Sequence, residues 1–323
     1  MDRITTVTLL PDETGIARAV EIWRAGGLVA FPTETVYGLG ADATNGTAVA
    51  NIYAAKGRPS FNPLIIHVAN IEVARHFAMF SKTAEDLARA FWPGPLSLVL
   101  PARPECKLSP LVTAGLDTVA IRVPENPVAQ KLLRAFGGAI AAPSANPSGG
   151  ISPTSAAHVI TGLAGKIDAV IDGGPCSVGL ESTIVHPDHV PPALLRPGGL
   201  PTEAIQAALG EKLARPDDPE RPQSPGQLAS HYAPATAVRL NVTTPGKTTL
   251  WLGFGPDCNG AALNLSPLGD LVEAAANLFG FLHELDDQAN TSGVPEITVA
   301  PIPDHGLGAA INDRLKRAAA AKP

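Results

Sequence analysis

Four basic residues sit where the pattern of the chain puts the ends of regular elements. Lys56 and Arg58 share the KGRP run that closes a helix, and Arg122 and Arg196 end or flank strands. A cation at an element end is ordinarily solvated. The other chemistry open to it is oxyanion binding, for which the planar guanidinium fork is well shaped. Asn62 and His67 follow in the same stretch. Lys56, Arg58, Asn62 and His67 are therefore expected to converge near one strand-end crevice, where open α/β sheets place their ligands. His67 alone reads as a hydrogen-bonded structural histidine, and Ser144 and Asn146, an S-x-N turn after a strand, as turn formers.

Other chemistries leave no pattern. No Ser-His-Asp order, zinc spacing or carboxylate pair stands out, so no metal site is expected. Cys106, Cys176 and Cys258 are far apart, odd in number and without a CxxC, which reads as three free thiols. Two phosphate-like patterns are incomplete. NVTTPGKT at 241–248 has Asn241 where a P-loop needs its first glycine. GLGADA at 38–43 fits G-x-G-x-x-A but is separated from its strand and lacks a ribose-binding acid about twenty residues on.

These residues need a scaffold, and its elements are legible. The apolar run 28–31 is a buried strand that Pro32 stops. TETVYGLG is small, polar and glycine-punctuated, as backbone near a ligand would be. A helix capped by Thr44 or Asn45 runs to Gly57, and 64–68 is a second strand. Helices are expected over 15–25, 83–91 and 128–136, with Thr154 capping another through Ile160. Further strands follow WPG, over 118–124, in AIAAPSAN, and near 169–171, 182–185 and 193–195. Pro201 stands at the first helical position before TEAIQAAL. Strands alternate with helices early and cluster later, which predicts an α/β fold with a twisted, mixed open sheet. Composition changes at Glu211 to a charged, proline-rich linker, ARPDDPERPQSPG, that extends to about Thr236. From Ala237 a strand, an amphipathic helix, a strand and a terminal helix predict a small Rossmann-like α/β unit with no dense set of catalytic residue types.

The chain has 323 residues, enough for two domains, with 45% hydrophobic and 5% aromatic content, which implies an aliphatic core. No window approaches about 18 consecutive apolar residues and no secretory signal is apparent, so a cytoplasmic protein without membrane contact is expected. Twenty-four Lys and Arg against 30 Asp and Glu give a net charge of −6. Without a basic run, stable RNA binding is not expected.

Six runs carry a family resemblance. They are VAFPTETVYGLGADATNGTAVANIYAAKGRPSFNPLIIHV at 29–68, SANPSGGISPTSAAHV at 144–159, GGPCSVGLESTIV at 173–185, LLRPGG at 194–199, SPGQLASHYAP at 224–234 and GLGAAINDRLKRAA at 306–319. Together they resemble the Sua5/YrdC/YciO family of threonylcarbamoyl-AMP synthases in its longer, two-domain form. The resemblance implies a YrdC-like catalytic domain over 1–210, a linker that acts as an active-site lid over 211–236, and a Sua5-type domain over 237–323. It implies condensation of L-threonine, bicarbonate or CO2, and ATP to threonylcarbamoyl-AMP and pyrophosphate. The product would pass to a separate transferase for t6A modification of tRNA. ATP is a substrate in this scheme, and Mg²⁺ is expected on its phosphates.

The same resemblance assigns roles. Lys56 and Arg58 face the triphosphate and carry catalysis. Asn62, Thr118, Ser144, Asn146, Ser152, Arg196 and Tyr232 join them in contacting ATP. Thr35, His67, Arg122, Ala142 (through its backbone) and Ser182 form a threonine pocket, with Arg122 on the carboxylate. Chemistry of this kind rests on positioning and charge stabilisation and needs no protein nucleophile. One departure stands in the linker, where Gln227, Leu228, Ala229 and Ser230 replace the basic residues many members carry. Two other readings predict different features. A YrdC-like RNA-binding or ribosome-maturation module would show basic patches with aromatics. A carbamoyl-transfer enzyme would carry accessory zinc-finger and acylphosphatase segments.

Overall fold

The computed structural model describes residues 4–215, 231–246 and 248–320. Positions 216–230, which hold most of the expected linker and the variable positions 227–230, lie outside them.

Ten strands form the larger sheet: β1 (Val7–Leu9), β2 (Val29–Phe31), β3 (Gly38–Asp42), β4 (Ile65–His67), β5 (Leu96–Pro101), β6 (Thr118–Arg122), β7 (Ile140–Ala141), β8 (Ala169–Ile171), β9 (Thr183–His186) and β10 (Ala193–Arg196). Their spatial order is β1-β8-β2-β3-β7-β4-β6-β5-β9-β10. Pairing is mixed. β4 runs parallel to β6 with His67 beside Arg122, and antiparallel to β7. The helices are α1 (Glu13–Arg24), α2 (Gly46–Lys56), α3 (Ile71–Ala74), α4 (Lys82–Phe91), α5 (Pro110–Thr113), α6 (Pro127–Phe136), α7 (Ala156–Leu163) and α8 (Thr202–Leu209).

Local chemistry explains the boundaries. Asn45 caps α2 by accepting from the amides of Thr47 and Ala48, and Gly57 ends it in the left-handed region at φ 61°. Ser155, not Thr154, caps α7, because its side chain accepts the amide of His158. Pro201 is the N-cap of α8 rather than its first helical residue. The segment 38–42, expected as a ligand-side loop, is strand β3 between β2 and β7. Its Gly40 serves packing: a Cβ there would lie 2.9 Å from Trp23, Phe31 and Ile140. The strand expected in AIAAPSAN shrinks to two residues.

Period-two alternation sorts the strands onto two faces. Ile66 of β4 and Val119 and Ile121 of β6 enter a large core with residues of α2, α4 and α7. The opposite face is covered in two separate places. α1 and α6 pack over one half with Trp23, Leu132 and Leu133. Ile65, Val99, Ala120 and Ile184 make a small cluster on the other. Between these lie Gly38, Ala142, His67, Arg122 and Ser182, and there the cavity opens.

The second unit is a parallel sheet of β11 (Ala237–Arg239), β12 (Thr249–Gly253), β13 (Leu263–Asn264) and β14 (Glu296–Val299), in the order β11-β14-β12-β13. Helices α9 (Leu271–Ser292) and α10 (Leu307–Ala319) pack on it. The sheet has two strands beyond the two expected. Thr249–Gly253, directly after the GKT run, is strand β12 and not the helix that a P-loop would need there.

This unit docks on the first. Leu278, Phe279 and Leu282 of α9 and Ile311 of α10 share one core with Val36, Ile151 and Leu180. Each such buried side chain contributes about 1.5–3 kcal/mol, more than a typical hydrogen bond at about 0.5–1.5 kcal/mol, so apolar packing dominates the junction. His158 stacks on His283 across it at 4.0 Å. At Gly179, φ 74°, a Cβ would meet the carbonyl oxygen of Ala275 at 2.4 Å, so only glycine lets the loop lie against α9. Among the described residues no helix is long and apolar enough to cross a membrane.

Candidate active site

The cavity lies on the sheet face between the two covered regions and is closed on one side by His231 and Tyr232. Gly38 opens β3, Ile65 opens β4, Ala142 follows β7, and His67 and Arg122 close β4 and β6, so these lining residues come from strand ends; of the four residues expected to converge, Arg58 and His67 line the cavity and Lys56 and Asn62 do not.

Arg122 is held on three sides. Its Nη2 donates to Glu34 Oε1 at 2.6 Å, its Nη1 to Thr35 Oγ1 at 2.7 Å and its Nε to the Gly94 carbonyl at 3.3 Å. A guanidinium has five N–H groups, so one remains on each terminal nitrogen. Glu34 is fixed in turn, because its Oε2 accepts the amides of Glu125 and Asn126. Thr33 Oγ1 donates to the Val36 carbonyl at 2.6 Å, so in the 2.8 Å contact between the two hydroxyls Thr35 is the donor. His67 lies beside Arg122 with its Nδ1 buried and without a partner among the described residues. Burial, then the Arg122 charge, pushes its imidazole down to about 3, so it is neutral near pH 7. Ser182 Oγ lies 2.7 Å from Ser97 Oγ, and the Arg196 guanidinium donates to the Ser182 carbonyl at 2.8 Å.

Lys56 is buried behind this surface. Its Nζ donates to the carbonyls of Ser144 (2.6 Å) and Asn146, and its own carbonyl accepts the Ser148 amide, so the end of α2 and the 144–148 loop are tied together. Burial, then the Arg58 charge, holds the Lys56 ammonium well below its ordinary value. Arg58 reaches the cavity while donating to the carbonyls of Asn62 and Pro63. Burial brings it down to about 10, so it stays charged at neutral pH. Asn62 and Asn146 each keep a buried side-chain oxygen with no donor among the described residues.

At the remaining side Glu181 accepts from Ser152 Oγ at 2.5 Å and from Arg314 Nε at 2.7 Å. Tyr232 is 1% exposed with φ 62°, a strained setting for a bulky residue, and is seated by Phe279 (5.6 Å between rings) and Arg314 (5.1 Å from the ring centre). The Ala233 amide donates to Gly149, and those of Ala235 and Thr236 to Asp286, so 231–236 is fastened to both units. Burial brings His231 down to about 3.

Of the residues singled out from sequence, Thr35, Arg58, His67, Arg122, Ala142, Ser144, Ser182, Arg196 and Tyr232 line the one cavity. Lys56, Asn62, Asn146 and Ser152 stand behind it. Thr118 is not among the lining residues. It pairs with Pro101 at the far end of β6, about 13 Å along the strand from Arg122. Glu34, Glu181 and Arg314 carry no sequence expectation. Glu34 and Glu181 are carboxylates inside small-residue runs. Arg314 interrupts the apolar stripe of α10 formed by Leu307, Ala310, Ile311, Leu315 and Ala318, which is a legible signal for a buried charge.

Three guanidiniums, a neutral imidazole and short hydroxyls facing one cavity make a site for a small polyanionic or carboxylate ligand. Comparison with known proteins gives this site a context. Residues 21–198 match the Sua5_yciO_yrdC family model, described as telomere recombination, and 200–320 match a model described as the threonylcarbamoyl-AMP synthase C-terminal domain. The chain is 41% identical to a threonylcarbamoyl-AMP synthase of Bacillus subtilis, over 97% of this chain and 95% of the relative. It is 42% identical to the one of Pyrococcus abyssi, over 95% and 94%. The crystal structure of P. abyssi Sua5 complexed with L-threonine superposes with a TM-score of 0.88 at 40% identity, covering 97% of both chains. YciO of E. coli, 24% identical with a TM-score of 0.55 over 60% of this chain, shares the fold of the larger unit. The chain belongs to the Sua5/YrdC/YciO family, in its two-domain Sua5 form.

Proposed function

We propose that this chain is an L-threonylcarbamoyladenylate synthase. The observation that carries the reading is the gathering of Arg58, Arg122 and Arg196 around one cavity with neutral His67, Thr35 and Ser182. The threonine-bound relative and the names of the curated relatives support it. Arg122 presents its two remaining N–H groups to the threonine carboxylate. Thr35, His67 and Ser182 select the hydroxyl, and the backbone at Ala142 lies along the amino acid. Arg58 and Arg196 face the ATP phosphates, and Lys56 holds the loop of Ser144 and Asn146 against them. The orphaned oxygens of Asn62 and Asn146 suit donors on a nucleotide, such as its amine or ribose hydroxyls. Tyr232 covers the nucleotide, and Ser152 acts on it through Glu181. Thr118, two positions before Ala120, which pairs with Ile65, stands on the side of Asn62 and Pro63 whose carbonyls Arg58 holds, the nucleotide end of the site.

The chemistry asks little of the protein covalently. Threonine's amine adds to CO2, or to bicarbonate with loss of water, giving a carbamate. A carbamate oxygen then attacks the α-phosphorus, the bond to the bridging oxygen of the β-phosphate breaks, and pyrophosphate leaves. The site aligns the reactants and balances charge. Any magnesium ion is placed on the nucleotide's phosphates, since Glu34 and Glu181 are engaged by Arg122 and Arg314. The activated product would go to a separate enzyme that modifies tRNA.

The test is pyrophosphate release from ATP with threonine and bicarbonate, added together and singly. Release should need both. Serine, which lacks only the methyl, should be disfavoured by about 10- to 200-fold, and valine, which lacks the hydroxyl, more strongly. Release without threonine would favour a carbamoyl-transfer reaction, and valine outperforming serine would refute the pocket.

A further inference from the structure

One group in the cavity runs against its electrostatics. Glu181 lines the cavity beside Arg58, Arg196 and Tyr232, and it is 6% exposed. An unpartnered carboxylate there would repel an incoming polyphosphate. The backbone gives it little room to turn away: a Cβ on Gly198 would lie 2.2 Å from the Glu181 carbonyl oxygen, so the two loops are in backbone contact.

Its counter-charge comes from the other unit. Arg314, on α10, is 0% exposed and donates Nε to Glu181 Oε2 at 2.7 Å. The same guanidinium lies 5.1 Å from the centre of the Tyr232 ring and donates Nη1 to Asp313 at 2.6 Å. Its Nη2 is buried with no partner among the described residues. Burial works against the Arg314 charge, and Tyr232, Glu181 and Asp313 outweigh it, so the group is held above its ordinary value. Arg314 does not line the cavity; it touches two groups that do.

We infer that Arg314 is a positioning residue for the nucleotide end of the site. It neutralises Glu181 and seats Tyr232, and through it the second domain sets the affinity for ATP. This rests on the proposed nucleotide reading of the cavity. The charged and titratable groups around Glu181 are Arg314 and Asp313 from α10, Arg196 from β10, Arg58 after α2, and His231 and Tyr232 from the segment before β11.

The experiment measures ATP binding by calorimetry and pyrophosphate release on the full chain. Arg314→Met should weaken ATP binding and lower turnover by about 10²-fold, the size of effect a misplaced supporting group produces. Arg314→Lys should fall between. Arg314→Met/Glu181→Gln should recover most of the ATP affinity, because the repelling charge is gone. With Arg314 replaced, burial raises the Glu181 carboxyl, so the single variant's ATP affinity relative to wild type should improve as pH falls and Glu181 is protonated. A purely structural role would give neither the rescue nor the pH slope. Wild-type affinity in Arg314→Met, or a double variant no better than the single, overturns the inference. If Arg314→Met does not fold, Arg314→Lys with and without Glu181→Gln makes the same comparison. A wild-type protein that neither binds ATP nor releases pyrophosphate would instead overturn the function on which the inference rests.

Discussion

Replacing Glu34 with glutamine separates the two roles of Arg122, as half of a buried ion pair and as ligand to a carboxylate. In the structure Arg122 is 3% exposed and its charge is balanced by Glu34 at 2.6 Å. The glutamine would keep the shape and a carbonyl acceptor for Nη2, but it would remove the balancing charge and turn its NH2 on the Glu125 and Asn126 amides that Oε2 now accepts. Removing one partner of a buried ion pair costs about 3–5 kcal/mol, and the two amides left facing a donor keep this change within that range. At about 2–4 °C per kcal/mol for a domain of this size, Glu34→Gln should lower the melting temperature by about 6–20 °C. The deficit is an uncompensated guanidinium in a closed site, which a carboxylate ligand would repair. Threonine should therefore raise the melting temperature of the variant more than that of wild type, and bind it at least as tightly. Differential scanning fluorimetry over a threonine titration, with calorimetric affinities, reads both quantities. A variant that melts like wild type would show that the pair is not under electrostatic load. A destabilised variant that threonine does not rescue would refute Arg122 as the carboxylate ligand.

Two more predictions concern the rest of the site. Lys56→Ala removes the tie between α2 and the carbonyls of Ser144 and Asn146, and turnover should fall by about 10²–10³ with the protein still folded; a near-normal rate of pyrophosphate release would sink that assignment. His67 and His231 both have folded pKa values lowered to about 3, against about 6.5 unfolded. The unfolded chain binds more protons between those values. Their contribution is therefore whole above about pH 6.5 and is lost at up to about 1.4 kcal/mol per unit for each histidine as pH falls towards 3. A melting temperature that stays flat from pH 6.5 to 4 would contradict this.

Sequence pattern reached far into the fold because the strongest signals are local. Asn45 and Gly57 bracket α2 by cap chemistry that needs no tertiary contact. The apolar run 118–124, stopped by Pro124, marked a strand from local pattern alone. The misses are non-local. Strand β3 was hidden because its glycines answer to Trp23, Phe31 and Ile140, residues far away in the chain or on neighbouring strands. β1 is only three residues long, mostly exposed, and held at the sheet edge by β8 alone. In the site, cations could be named from type and place, but their partners could not. Glu34 and Arg122 are 88 positions apart, and Glu181 and Arg314 are 133 apart. Arg122 and Arg314, once buried, call for an acid, while Arg58 is met by the carbonyls of Asn62 and Pro63; only the folded chain says which partner each cation takes.

The contact at Gly179 reaches beyond stability. Backbone lies on backbone there, with no side chain between the loop and α9, and Glu181 follows two residues later. A junction of this kind has no soft layer to absorb a change of helix sequence or angle. A hybrid that joins the first unit of one relative to the second unit of another would have its fault line at this loop, not at the covalent seam near 211–236. The workable exchange moves 174–182 together with α9 and α10, leaving the remainder of the first unit behind. The boundary drawn by heredity along the chain and the boundary drawn by fit in space are then different lines, and a recombined enzyme has to respect the second.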